Sequence, residues 1–241
     1  EPVVLLPTDT SSLNYTSKLS INNLGGLANK NKGVWLHPTL AITPERVNLG
    51  IVDAKMWTRP PKSTEQTNHE VYSLPIEKKE IYRWVESYKT GCKVAEDSPN
   101  TQVVVITDRE GDFAELFEEV NKSQKKDRYA DIIVRSYHDR KVEVSDDVVR
   151  DGIEDYDVRK KLRDALKSSN SLGDIKFTIP AAAGRPEKNV TQTLKAARLT
   201  FKKRDTSKKK SSPKVKMNAV MAIEENPPEG QEALVWVFLT T

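Results

Sequence analysis

Cysteine occurs once, at Cys92, and histidine three times, at His37, His69 and His138. A lone thiol excludes an internal disulfide framework and suits a reducing cytoplasm. The three histidines are scattered and lack the ligand spacing of a zinc site. No apolar run approaches the roughly 20 residues needed to cross a bilayer, and no signal-peptide pattern opens the chain. A Gly-rich phosphate loop and a nucleophile elbow are also missing, so neither of those routes to phosphoryl or acyl transfer is open. What is present is a 241-residue chain, 37% hydrophobic and 31% charged. That composition describes a soluble protein long enough to bury the core of one large domain or two smaller ones. The first residue is Glu1 rather than methionine, which reads as a piece of a longer protein.

The formal net charge is only +4, but it is unevenly spread. Glu143 to Asp157 holds seven acids against one arginine, and Lys202 to Lys216 holds eight basic residues against one aspartate. A basic stripe of that density (Lys202, Lys203, Arg204, Lys208, Lys209 and Lys210 among it) can neutralise phosphates and release counterions. Ser211, Ser212 and Pro213 lie within it, so a solvated loop describes the same residues equally well.

The stretch with most chemical content is Val103-Val104-Val105-Ile106-Thr107-Asp108-Arg109-Glu110-Gly111-Asp112. Four β-branched apolar residues running into a carboxylate predict a buried parallel strand ending at Asp108, with a tight turn at Gly111 and a helix to about Val120. In an open α/β sheet, ligands collect at the carboxyl ends of such strands. Taken alone, Asp108, Glu110 and Asp112 are also good helix-capping and first-turn acids. A second strand exit near the start of the chain repeats the pattern: Val3-Val4-Leu5-Leu6 runs out through Pro7-Thr8 to Asp9, followed by a polar turn of Thr10, Ser11, Ser12 and Asn14.

Taking the chain in order, 34–42 and 47–52 predict a hairpin turning at Thr43-Pro44-Glu45-Arg46. Residues 58–75 read as a polar surface loop. Ile81, Trp84, Val85 and Tyr88 fall at helical spacing in an amphipathic segment from Glu77 to about Val94, with a break at Gly91. A further strand covers Tyr129 to Arg135. From His138 to Ser171 the chain is charged, with a helix around Asp157 to Lys167. Short strands follow at 175–179, 194–201, 215–224 and 233–239, with a strong turn at Asn226-Pro227-Pro228-Glu229-Gly230. The expected architecture is α/β: a mixed-sheet core over 1–137 and a mainly antiparallel β subdomain over 138–241. His37, in a strand-like run directly before Pro38, reads as a core or hairpin residue.

Two aspartates at strand ends suggest metal-dependent phosphoryl transfer. Hard oxygen ligands suit Mg²⁺, and a pair of cations can activate water and stabilise a departing oxygen. Asp9-Thr10-Ser11-Ser12-Leu13-Asn14-Tyr15 resembles the first-aspartate motif of bacterial cut-and-paste DDE transposases, in the insertion-sequence family of the composite kanamycin-resistance transposon. Asp108-Arg109-Glu110-Gly111-Asp112 resembles their second-aspartate motif. Gly33-Val34-Trp35-Leu36-His37, Trp57-Thr58-Arg59-Pro60, Val134-Arg135-Ser136, Asn226-Pro227-Pro228 and Trp236 match in the same order, so the resemblance covers almost the whole chain.

The resemblance implies a ribonuclease-H-like core with a β-rich insertion before the last catalytic helix. It implies that Asp9 and Asp108 ligate Mg²⁺, for which Mn²⁺ can substitute. It makes Arg135 a backbone-phosphate contact and Trp236 the face on which a flipped base stacks while the transposon end forms a hairpin. Without the family, Trp236 in its apolar run is a packing residue. Also implied are partners and place: double-stranded transposon-end and target DNA, a homodimer of the complete protein on DNA, and a bacterial, nucleoid-associated, cytoplasmic setting without membrane. The family's third carboxylate, a Glu on a helix after the position of Trp236, has no match here. The expectation is therefore a DNA transposase and endonuclease core that is inactive alone. The alternative is a non-catalytic DNA-binding or regulatory remnant of a transposase.

Overall fold

The structure is a computed structural model that describes residues 1–18, 20–59, 74–144, 160–184, 186–202 and 214–241, with Lys202 described by its backbone alone. It is a mixed α/β protein whose strands include both parallel and antiparallel neighbours. The chain forms two compact units, Glu1–Ile132 and Ile133–Thr241; the sequence expectation divides it after Tyr137. Among the described residues no helix is long and apolar enough to cross a membrane.

The first unit is organised by a parallel pair. Strand β1 (Val3–Thr8) runs beside β6 (Gln102–Thr107), in register from Val3↔Gln102 to Thr8↔Thr107. Burying both strands carries little polar penalty because their side chains are apolar nearly throughout: Val4, Leu6, Val103, Val104 and Val105 are all buried. Strand β4 (Lys32–Ile42) is antiparallel to β1, to β2 (Ser11–Asn14), to the two-residue β3 (Gly25–Gly26) and to β5 (Asn48–Trp57). The β4–β5 hairpin turns where expected; Thr43 N–H bonds to the Val47 carbonyl at 2.9 Å. Strand β2 departs from the expectation of a polar turn at 11–14. It forms because the first residues of β4 offer a ladder that Ser11 to Asn14 complete, Ser11↔Leu36 to Asn14↔Gly33. Most of the expected loop at 58–75 lies outside the described residues.

Helix α1 (Arg83–Asp97) buries Trp84, Val85, Tyr88, Cys92 and Ala95, one face at helical spacing. It is preceded by two short 3₁₀ turns at Ile76–Lys78 and Glu80–Tyr82. Gly91 does not break the helix, contrary to the sequence expectation. A Cβ there would lie 2.4 Å from Val105 Cγ2, so the glycine lets the helix approach β6 closely. The Arg128 guanidinium closes the far end of α1, donating to the carbonyls of Ala95, Ser98 and Thr101. Helix α2 (Ala114–Ser123) buries Leu116, Phe117 and Val120.

The division between the units falls inside β7 (Asp131–Arg135). Among the described residues of the second unit every strand pair is antiparallel. Strand β13 (Val235–Thr240) pairs with β7 and with β12 (Lys214–Glu224), and β12 pairs with the 15-residue β11 (Lys188–Lys202). Strand β11 also holds β10 (Ser171–Ile179) and β8 (Lys141–Val144), and β8 pairs with the short β9 (Lys160–Lys161). Helix α3 (Leu162–Lys167) packs Leu162, Ala165 and Leu166 against β11 and β12. The buried core includes Leu199, Phe201, Val215, Met217, Met221, Val237 and Leu239. The expected helix begins at Asp157; 157–159 lie outside the described residues and Lys160–Lys161 are strand.

Candidate functional site

Asp9 and Asp108 each follow the last residue of a strand, and those residues, Thr8 and Thr107, are direct partners in the parallel ladder. Neighbouring strands lie about 4.8 Å apart, so Asp9 and Asp108 follow adjacent strand ends. Both residues are exposed. Each also answers a backbone donor of its own turn. An Asp9 carboxylate oxygen accepts from Thr10 N–H at 2.6 Å, and Asp108 Oδ1 accepts from Glu110 N–H at 2.8 Å, capping the 3₁₀ turn Arg109–Gly111. Capping and presentation at the strand end therefore occur together.

Behind Asp9 lies a chain of directed hydrogen bonds. Arg83 Nε donates to Thr10 Oγ1 at 2.9 Å. Thr10 Oγ1 lies 2.8 Å from His37 Nδ1, and His37 Nε2 lies 3.1 Å from Thr8 Oγ1. The Thr8 hydroxyl donates to the Pro38 carbonyl at 3.0 Å. A Thr8 hydroxyl that donates to Pro38 is matched by the tautomer with Nε2 as donor and Nδ1 as acceptor. His37 is buried, 1% exposed. Burial first, then the Arg83 charge, lowers its pKa to about 4, so the ring is neutral at pH 7. Its edge meets the Trp84 ring at 4.6 Å. The buried position fits the core role expected for it, and His37 also braces the exit of β1.

Arg83 is the charged centre of this arrangement. Its guanidinium pairs with the Glu110 carboxylate and donates to the Glu80 carbonyl at 2.8 Å. Burial holds its pKa below the ordinary value, opposed by Glu110 and Glu80. One side chain on α1 thus ties the turn after β1 to the turn after β6. Beside it, Trp57 stacks on Trp35 with ring centroids 6.5 Å apart, Arg59 lies over Trp35 at 3.9 Å, and Glu80 joins Arg59 to Trp57 Nε1. Trp57, Arg59, Glu80 and Arg83 line a cleft of about 430 Å³ together with Lys55, Tyr82 and Glu86.

Arg135 and Trp236 belong to the second unit. Arg135 is the cross-strand partner of Phe238, and Trp236 is two residues from Phe238 on β13. Strand alternation therefore puts Arg135, Phe238 and Trp236 on one face of the sheet. Trp236 is half-buried and stacks on Phe177 of β10, centroids 5.9 Å apart and planes within 19°. The chain just before Trp236 is held by buried polar groups. Leu234 N–H donates to the Glu224 carboxylate at 2.9 Å, and its carbonyl accepts from Gln192 Nε2 at 3.0 Å and from Glu224 N–H at 2.9 Å. The Lys188 ammonium meets Glu224 at 2.7 Å. That ammonium and the Leu234 N–H keep the Glu224 carboxyl below the usual carboxylate range.

Lys202 ends β11; Lys203, Arg204, Lys208, Lys209 and Lys210 lie outside the described residues. Among the described residues no group of three or more His, Cys, Asp or Glu is placed to hold a metal ion. The expected residues thus fall into two sets, Asp9 with Asp108 in one unit and Arg135 with Trp236 in the other. The bracing residues Thr8, Thr10, His37, Arg83 and Glu110 form a set that sequence reasoning misses. Thr10, His37 and Glu110 lie within the resembling motifs, but Arg83 carries no signal beyond one polar position on an amphipathic helix. No protein-family profile matches the chain.

Proposed function

We propose that this chain is the core of a bacterial DDE-type DNA transposase, with a ribonuclease-H-like first unit and an inserted β subdomain. One observation carries the reading: the Thr8↔Thr107 register, which sets Asp9 and Asp108 at adjacent carboxyl ends of parallel strands. The donor set is chemically right for Mg²⁺ or Mn²⁺, since both groups are exposed hard-oxygen carboxylates. Asp9 and Asp108 would hold the cation, which when bound supplies water activation and stabilisation of the departing oxygen in phosphodiester cleavage and strand transfer.

The protein's own groups do the rest. The turn bonds to Thr10 and Glu110 N–H fix one oxygen of each carboxylate, and the Arg83–Thr10–His37 chain holds the first turn rigid. Arg135 binds a backbone phosphate and Trp236 receives an extruded base, as the hairpin intermediate requires. Lys202 to Lys210 add duplex-DNA affinity.

The decisive experiment is plasmid nicking in Mn²⁺ by the full product of this reading frame, beside its Asp9→Asn and Asp108→Asn variants. Loss of nicking in both variants is the expected result; nicking unchanged in either overturns the assignment. A second reading is a non-catalytic DNA-binding or regulatory form, which would use Arg135, Trp236 and the basic stripe without the two aspartates. It predicts DNA binding without nicking by the full product as well as by the 241-residue chain.

A further inference from the structure

We infer that Glu224 and Gln192 are positioning residues that set the Trp236 indole against Phe177, leaving its opposite face for an unpaired base. This rests on the base-stacking reading of Trp236. A flat side chain is a useful stacking surface only if its plane is fixed before the base arrives, because ordering it on binding costs free energy. Two devices fix the plane here. The Phe177 ring covers one face of the indole in a nearly parallel stack. The peptide two residues upstream is held at both ends, Leu234 N–H by the Glu224 carboxylate and Leu234 carbonyl by Gln192 Nε2.

Burial makes this arrangement more than a loop contact. Gln192 is 0% exposed and Glu224 5%. An unpaired carboxylate at that depth is costly, and Lys188 neutralises it at 2.7 Å. Gln192 and Glu224 face each other directly across β11 and β12, and the next pair on the same face, Leu194↔Ala222, leads through Ala222↔Trp236 to the indole. The polar clamp and the aromatic stack therefore occupy one continuous sheet face. Gln192 Nε2 also donates to the Ala222 carbonyl at 3.5 Å, at the rung that Trp236 shares.

The test uses the whole chain and two duplex oligonucleotides, one carrying a single extruded 2-aminopurine and one fully paired. Trp236→Ala should abolish quenching of the extruded fluorophore. Glu224→Ala and Gln192→Leu should each weaken binding of the extruded-base duplex by about five- to tenfold, the loss of roughly one buried hydrogen bond. Binding of the paired duplex should stay at the wild-type value. Gln192→Leu keeps the proposal testable if Glu224→Ala fails to fold. If Trp236→Ala loses the quench but Glu224→Ala and Gln192→Leu bind the extruded-base duplex as tightly as wild type, the clamp is overturned and base stacking stands. Equal weakening toward both duplexes also overturns it, since the clamp would then be general scaffolding. If Trp236→Ala retains the quench, base stacking itself fails and the clamp with it.

Discussion

Arg83 Nε reaches Thr10 Oγ1 at 2.9 Å, which makes a single helix side chain the brace of the turn that carries Asp9. The guanidinium is only 9% exposed, whereas its partner Glu110 is 58% exposed. Replacing Arg83 with Met should therefore cost about 1–3 kcal/mol, from the missing charged hydrogen bonds rather than from stranding Glu110, which can turn to water. Urea unfolding at pH 7 measures it. A change under about half a kilocalorie per mole, small beside that range, would show that Thr10 needs no brace.

His37 makes stability depend on pH in a predictable sense. Its folded pKa is about 4 against 6.5 for the free side chain, so the unfolded chain binds the proton more readily. The stability contribution is complete above pH 6.5 and declines as pH falls from there toward 4. The urea midpoint should fall between about pH 7.5 and pH 5, a window that brackets the free-chain value, and His37→Gln should flatten that part of the profile. An identical slope in the variant would place the pH dependence elsewhere.

Gly91→Ala should destabilise by about 1–3 kcal/mol through overpacking against Val105. Adding Val105→Ala in the same chain should recover part of that stability, because it removes the methyl that a new Cβ would strike. Chemical denaturation of the two single variants and the double variant gives the coupling; simple additivity would refute the steric clash as its cause.

Mn²⁺ should raise the melting temperature of the wild-type chain, and the shift should vanish in Asp9→Asn and in Asp108→Asn. Each carboxylate is exposed, so neither variant should lose much stability in the absence of metal. A persistent shift in either would remove that residue from the ligand set.

Neutralising Lys208, Lys209 and Lys210 to Gln should flatten the dependence of duplex affinity on salt. For every phosphate that the variant no longer neutralises, the slope of log K against log salt should fall by about 0.9. A slope unchanged within error would make this segment a solvated loop.

The strand ends are legible in the sequence because hydrophobic runs stop abruptly at a polar residue, as at Leu6 through Asp9 and Ile106 through Asp108. That these two strands are parallel neighbours is not, since pairing is decided between residues 3–8 and 102–107, far apart in the chain. Ser11 to Asn14 carry only one apolar residue, Leu13, so no periodicity marks them as a strand; the open ladder of β4 recruits them. Gly91 suggests a break because glycine costs about 1 kcal/mol in a helix. Packing of Trp84, Val85, Tyr88 and Cys92 on both sides of it outweighs that cost. The Phe177–Trp236 stack cannot be read at all, because it joins β10 and β13 through the sheet they share.

The parallel ladder between β1 and β6 has a consequence for how substitutions will be tolerated. Side chains alternate faces along a strand, so sliding β1 by one rung against β6 would turn its buried Val4 and Leu6 outward and shift Asp9 away from Asp108. The spacing of the two acids is thus inherited from the grease beneath them. Reshaping buried Leu6 or Val105 should therefore disturb the spacing of Asp9 and Asp108 without touching either acid.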